Sequence, residues 1–165
     1  KKRTDIGFVM VGSGTDWLRL KSLRDKLRLT DVIYMPGRLA WEDVLSTMAA
    51  TDICVQPDLP NKYSNIVSMN KLLEYMALGK AAVAFDLKET RISGGEVVVY
   101  CPESTSSSLA EKIIDLADDE KRCLALGKEG RQLIEDKLGW HHQAQALCSI
   151  YERLFPGILV PTEAK

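Results

Sequence analysis

An α/β fold built on a parallel sheet with helices on both faces is what this chain predicts. Three observations carry that expectation. Five short apolar runs recur along the chain, bounded by Gly, Pro and Asp. Segments with apolar residues at helical spacing alternate with them, the pattern of strands joined by crossover helices. At 165 residues without an internal repeat, the chain suits one domain with a full core. The sheet is expected to hold about five or six strands in a three-layer α/β/α arrangement.

Ile6-Gly7-Phe8-Val9-Met10-Val11-Gly12 is a strand that runs into the tight turn Gly12-Ser13-Gly14. Thr15 or Asp16 can cap the next segment, where Trp17, Leu18, Leu20, Leu23, Leu27 and Leu29 recur at near-helical spacing between basic residues. Val32–Met35 is the second strand, closed by Pro36-Gly37-Arg38, and residues 41–50 form a short helix. Ile53–Gln56 is the third strand, ended by Pro57-Asp58-Leu59-Pro60, and a polar loop runs to about Ser68. A helix over Met69–Leu78 stops at Gly79, and the apolar run Ala81–Phe85 is the fourth strand. Residues 86–95 read as a charged, glycine-rich connection before the fifth strand, Glu96–Tyr100. Ser104–Ser108 can cap a helix over Leu109–Ala117. Asp118 or Asp119 starts another that ends near Gly139, and residues 140–155 form the last helix.

Composition excludes several functions. With a net charge of −1 the chain has no nucleic-acid footprint. No apolar run approaches the roughly 20 residues that span a bilayer. Lys1-Lys2-Arg3 is basic, but no apolar signal core follows it. The chain opens on this charged run, enters a strand almost at once and does not begin with Met, which predicts a piece of a longer protein. Cys54, Cys101, Cys123 and Cys148 are scattered without C-x-x-C spacing, as packed, reduced thiols of a cytosolic protein would be.

Ligands of such sheets sit at the carboxyl ends of the strands, and the loops that leave those ends hold the candidate residues. Gly12-Ser13-Gly14 would let a ligand approach the backbone. Trp17 occupies the place of the third glycine of a dinucleotide fingerprint, so the motif fits a plain turn as well as a ligand loop. Gly37-Arg38 reads as a turn with a solvated arginine or as backbone that meets a base edge. Asp58 reads first as a loop acid beside two prolines. A receiver domain also has a strand-end Asp, but it needs an acidic pair where this chain has Gly12-Ser13-Gly14.

The segment Ser68-Met69-Asn70-Lys71-Leu72-Leu73-Glu74 is the most informative. Asn70 or Ser68 can serve as an N-cap, worth about 1 kcal/mol. The first-turn N–H groups of a helix have no intrahelical partner and can hold phosphate. Lys71 opposes the macrodipole there unless an anion is bound. Glu74, one turn later among Leu73, Tyr75, Met76 and Ala77, is costly to bury unpaired. A salt bridge within the fold or the hydroxyls of a ribose would supply its partner. His141 and His142 read as surface or capping residues, and no Ser-His-Asp or Cys-His arrangement can be drawn from two histidines.

Taken in order, Val11-Gly12-Ser13-Gly14, Pro36-Gly37-Arg38, the run from Asn70 to Lys80, Gly94-Gly95-Glu96, and Trp140 with its amphipathic helix resemble glycosyltransferase group 1, family 4. That family comprises retaining enzymes of the GT-B fold. The resemblance extends from about Ile6 to Phe155. It implies a Rossmann-like α/β/α fold, one half of a GT-B fold. Residues 1–155 would be most of the C-terminal nucleotide-sugar-binding domain, truncated on its N-terminal side, and residues 156–165 a tail. It further implies that Asn70, Lys71 and Leu72 hold the donor diphosphate and that Glu74 binds the ribose. Gly12 and Gly14 would lie by the phosphates, and Arg38 would meet the base.

Two departures accompany the resemblance. The family often carries a glutamate eight residues before the ribose glutamate, facing the donor sugar, and here that position is Ile66. The Arg and Lys that usually neutralise the diphosphate from an upstream strand are not present. No catalytic residue is therefore assigned.

The implied function is transfer of a sugar from a nucleotide-diphosphate donor to a glycan, lipid-linked or small-molecule acceptor in polysaccharide or glycoconjugate biosynthesis. No cofactor or metal is expected. The implied partners are the donor and an N-terminal acceptor-binding domain of the same parent, with no nucleic acid. The implied location is cytoplasmic, with peripheral membrane contact only through that other domain. The isolated chain would bind donor weakly and transfer little. The alternatives are a non-catalytic GT-B-like interaction module, and a sugar-nucleotide epimerase-like enzyme. The latter would want a basic or histidine-bearing set that this chain lacks.

Overall fold

The computed structural model describes residues 3–156, so the expected tail lies outside the described residues from 157 on. The chain divides into two compact units, residues 1–50 and 51–165.

The first unit holds β1 (Phe8–Val11), α1 (Trp17–Lys26), β2 (Ile33–Gly37) and α2 (Trp41–Ala50). β1 and β2 pair in parallel, Phe8 opposite Ile33 and Val11 opposite Gly37, with a register shift between Val9 and Val11. Asp16 stands at the N-cap of α1, but its side chain caps no backbone N–H. The Arg19 guanidinium has captured its carboxylate instead and holds it below the usual carboxylate range.

The second unit holds β3 (Ile53–Gln56), α3 (Asn70–Ala77), β4 (Ala81–Phe85), α4 (Lys88–Gly94), a 3-10 turn (Gly95–Val97), β5 (Val98–Cys101), α5 (Ser106–Ala117), α6 (Glu120–Leu133), a π-helical turn (Ile134–Leu138) and α7 (Trp140–Leu154). Its strands run parallel in the order β3-β4-β5. β4 is central, and all its residues are buried. Because strand side chains alternate between faces, Ala81, Val83 and Phe85 meet Ile113 and Leu116 of α5 and Cys123 of α6. Ala82 and Ala84 meet Leu72 and Met76 of α3 on the other face. The result is the expected α/β/α layering around a strand that is hydrophobic on both sides.

Five strands are present among the described residues, in two parallel ladders rather than one. Apolar runs specify where strands lie, but the pairing of their edges depends on backbone contacts that no single run encodes.

Helix ends have local causes. Thr105 caps α5 by accepting the Ser108 N–H at 3.2 Å, and Asp119 caps α6 by accepting the Arg122 N–H at 3.0 Å. α3 ends at Gly79, whose φ of +67° suits a residue without Cβ. The Gly79 N–H reaches Met76 O and the Lys80 N–H reaches Tyr75 O, both at 2.9 Å, the bond pair of a Schellman motif.

α4 lies where the sequence reads as a connection. With its N-cap Leu87 it turns Thr90 and Gly94 inward, a stripe at helical spacing that the charges of Lys88, Glu89 and Arg91 obscure. The cysteines are free, with Cys54, Cys101 and Cys123 buried and Cys148 half-buried. Burial pushes the three buried thiols above their ordinary value. No helix of the described residues is long and apolar enough to cross a membrane.

Candidate functional site

The strongest constellation gathers at the carboxyl end of β3 and the start of α3. α3 begins with Met69 at its N-cap and no side-chain cap. Neither proposed cap acts as one. Asn70 is already the first helical residue, and the Ser68 hydroxyl donates to Glu89 Oε1 of α4 at 2.8 Å. The N–H groups of Asn70 and Lys71 consequently have no acceptor among the described residues, while the Leu72 N–H donates to Met69 O at 3.0 Å. Free donors at the positive end of a helix are an anion site in waiting. Leu72 turns its side chain into the core at 1% exposure, so a ligand could meet only its backbone.

Lys71 adds a cation to this mouth. Its Nζ lies 2.7 Å from Asp58 Oδ2, and both side chains are partly shielded from solvent. Asp58 follows β3 by two residues, so this ion pair joins the end of the strand to the first turn of α3. The sequence reading of Asp58 as a loop acid omits that partner.

Glu74 stands one turn further along α3, half-buried, with no side-chain hydrogen bond or ion pair among the described residues. A salt bridge within the fold was one of the two partners expected of it, and the described residues supply none. Beside it, Tyr75 is pushed up to about 12 by burial, with the negative charges of Cys54, Glu74 and Asp58 adding to the shift.

The loop between β3 and α3 is tightly organised. Asn61 Oδ1 accepts the N–H groups of Tyr63 and Ser64 at 2.8 and 2.9 Å, a local turn that such side chains favour. The buried Ser64 hydroxyl donates to Leu59 O at 2.8 Å, and the Lys88 N–H donates to Asn65 Oδ1 at 3.1 Å. Together with Ser68–Glu89, these bonds tie the loop to α4. Ile66, where the family often has a glutamate, is 76% exposed.

A buried polar group at the end of β3 carries little mark in the sequence. Gln56 ends β3 at 1% exposure. Its Nε2 donates to Thr90 Oγ1 at 3.2 Å, while its Oε1 is buried without a partner. The Tyr100 hydroxyl donates to Thr90 O at 3.0 Å, and the Arg91 guanidinium sits 3.9 Å from the Tyr100 ring centroid while pairing with Asp86. A strand-end glutamine on the same face as buried Cys54 was the available signal.

The other candidates lie in the first unit. Gly12 has φ +130°, and a Cβ on Gly12 or Gly14 would meet nothing within 4 Å. The Gly12 N–H is committed to Gly37 O at 2.7 Å. Arg38 is exposed and makes no ion pair among the described residues. Elsewhere, His142 Nε2 lies 3.0 Å from Glu135 O at the start of α7. No three His, Cys, Asp or Glu side chains converge as metal ligands among the described residues.

Similarity to known proteins gives the family and the fold. The family model for Glycosyl transferases group 1 matches residues 1–119. A GDP-mannose-dependent monoacylated alpha-(1-6)-phosphatidylinositol monomannoside mannosyltransferase of Corynebacterium glutamicum is 30% identical over 166 residues, covering 91% of this chain and 40% of that protein. A glycosyltransferase structure from Rickettsia africae aligns with a TM-score of 0.78 at 16% identity, covering 93% of this chain and 41% of that one. HepE of Anabaena, solved with UDP, aligns with a TM-score of 0.72 at 18% identity, covering 89% of this chain and 42% of HepE. The fold is that of GT-B glycosyltransferases over the aligned share. The chain spans 38–42% of the length of the curated relatives it matches.

Proposed function

The chain belongs to the group 1 glycosyl transferases, and from that premise we propose that it is the donor-binding part of a retaining enzyme that uses a nucleoside-diphosphate sugar. One observation carries the reading. α3 presents uncapped N–H groups and Lys71 in its first turn, then a partnerless Glu74 one turn later. Phosphates suit the first turn, and the two hydroxyls of a ribose suit a half-buried carboxylate that lacks any donor. HepE, whose fold this chain resembles, was solved with UDP and with UDP-glucose, which supports a donor of the same chemical class.

The chemistry is electrostatic. As the bond from the sugar to the diphosphate breaks, negative charge grows on the leaving group. The Asn70 and Lys71 N–H groups and the Lys71 ammonium stabilise it there without reorganising. No metal enters this scheme. Gly12, Gly14 and Arg38 are proposed to meet the phosphates and base. The acceptor, a glycan, lipid-linked or small molecule, binds largely to another domain, so this chain alone transfers little. Polysaccharide or glycoconjugate biosynthesis on the cytoplasmic side is the setting that fits such a donor.

A thermal-shift panel of UDP, GDP, ADP, TDP and CMP tests the reading. A ligand at ~100 times its dissociation constant stabilises the fold by about 2.7 kcal/mol. We expect one nucleoside diphosphate to raise the melting temperature and Glu74→Ala to abolish the rise. A second reading, a GT-B-like module without activity, draws on the exposed Ile66 at the place of the family's glutamate. It predicts no shift with any nucleotide, in this chain or in the full-length protein.

A further inference from the structure

We propose that Asp58 is the specificity-determining carboxylate for the transferred sugar, standing in for the glutamate that Ile66 replaces. The inference rests on the donor reading above and adds a residue to it.

Within the loop between β3 and α3, elimination leaves Asp58. Asp58 is the sole carboxylate between β3 and α3. The other polar side chains of that segment are spent or directed outward. Asn61 and Ser64 close the loop on itself. Asn65 and Ser68 hold the loop to α4. Lys62 and Tyr63 are exposed. Ile66 has no group that can accept a hydroxyl proton.

Asp58 Oδ2 lies 2.7 Å from Lys71 Nζ. An ammonium–phosphate hydrogen bond is about 2.8 Å long. A phosphate oxygen taken by Lys71 therefore falls within about 5.5 Å of the Asp58 carboxylate, summing the two contacts. With the phosphate that carries the sugar on Lys71, a sugar hydroxyl a few bonds away spans the gap. Glu74, assigned to the ribose, lies about one turn further along α3, which leaves Asp58 to the sugar end. Lys71 also settles the electrostatics. Asp58 and a diphosphate repel each other directly, but an ammonium between them binds both. The buried Asp58 Oδ2 stays on Lys71 while Oδ1 accepts a hydroxyl.

The test uses the full-length protein and isothermal titration with four pairs of probes, UDP against UDP-glucose, GDP against GDP-mannose, ADP against ADP-glucose and TDP against TDP-glucose. In the wild type, the pair with the matching base binds. Asp58→Asn should weaken binding of the sugar-bearing member at least tenfold and change binding of the bare diphosphate less than threefold. Asp58→Glu keeps the charge one methylene further out and should fall between the two. It also serves if the Asn variant does not fold. Equal losses for both members would mean that Asp58 only orients Lys71, and would overturn the proposal while leaving the donor site intact. An unchanged sugar-bearing ligand would overturn it likewise. Absence of binding by every probe in the wild type, together with no shift from any nucleotide of the thermal-shift panel, would overturn the donor reading and this inference together.

Discussion

Gly127 of α6 packs against the backbone of Gly79, so closely that a Cβ on Gly127 would lie 2.1 Å from the Gly79 carbonyl oxygen and 2.9 Å from its carbon. The contact sits at the turn that ends α3 and starts β4, so it fixes α6 against the two elements that frame the candidate site. Three residues along the same helix, a Cβ on Gly130 would meet Met76 Cγ at 3.3 Å. The Arg131 guanidinium donates to the Ala77 carbonyl from there. Small residues let the two backbones approach. Backbone cannot rotate away as a side chain can. Gly127→Ala should destabilise the fold by about 3 kcal/mol, the upper part of the overpacking range. Gly130→Ala, which meets a flexible Met, should cost about 1 kcal/mol or less. Urea unfolding of the two variants checks the order.

Alkaline pH should unfold the second unit through two tyrosines. Burial pushes both Tyr75 and Tyr100 up to about 12 from an ordinary value of 10.0. A raised pKa in the folded state gives stability that is complete below pH 10 and is lost as pH rises through about 12. In that window the unfolded chain releases protons that the folded chain retains. Ionised Tyr100 could no longer donate to Thr90 O, so its deprotonation also breaks a bond. Stability followed by circular dichroism should begin to fall near pH 9 through the buried thiols and fall more steeply from about pH 10 upward through the tyrosines. The double variant Tyr75→Phe, Tyr100→Phe should lessen that fall without abolishing it, because the three buried thiols, raised from an ordinary value of 9.0, also hold protons that the unfolded chain releases.

How far the sequence reveals this arrangement depends on what each signal encodes. β3, β4 and α2 lie where their residue patterns put them, because Ala81–Phe85 is apolar on both faces and Gly79 can only be a stop. α4 was not legible. It is short, its inward stripe of Leu87, Thr90 and Gly94 is broken by charged neighbours, and Gly94-Gly95 imitates a turn. The start of α3 was legible as a helix end but not in its capping, because Ser68 found a distant partner in Glu89. The same limit applies to Asp58 and Lys71, and to Gln56 and Thr90. Each pair is made by tertiary structure between segments that carry no mark of each other.

Lys71 should govern the affinity for phosphate more than the stability of the fold. The side chains of its ion pair with Asp58 are partly solvent-exposed although the Asp58 Oδ2 that faces Lys71 is buried, and such partly exposed pairs contribute about 1 kcal/mol. A charge-assisted hydrogen bond to a bound diphosphate is worth about 1.5–3 kcal/mol. Lys71→Gln should therefore weaken nucleoside-diphosphate binding about tenfold or more, with little change in melting temperature. Salt screens the wild-type interaction, so raising ionic strength should weaken the wild type more than the variant. Titrations at low and high salt measure that difference. An equal salt effect in both proteins would remove Lys71 from the phosphate site.

Glu74 offers the sharpest separation of binding from folding. Its carboxylate is half-buried with no partner among the described residues, so Glu74→Gln removes a charge without breaking a contact. Stability should stay within about 0.5 kcal/mol of the wild type, or rise slightly, since an unpaired carboxylate is costly to shield from water. Nucleotide binding should respond in the opposite sense. A ribose hydroxyl that donates to a carboxylate makes a charge-assisted bond worth about 1.5–3 kcal/mol, so affinity should fall about tenfold or more. The ribose assignment can be isolated with a 2′,3′-dideoxynucleotide of the same base. In the wild type, removing both hydroxyls should reproduce the loss caused by Glu74→Gln. In the variant the dideoxy and ordinary nucleotides should bind almost alike, because the two changes remove the same interaction and cannot add. Additive losses in that double-mutant cycle would assign the ribose to another residue, while leaving the phosphate mouth of α3 to be judged by Lys71.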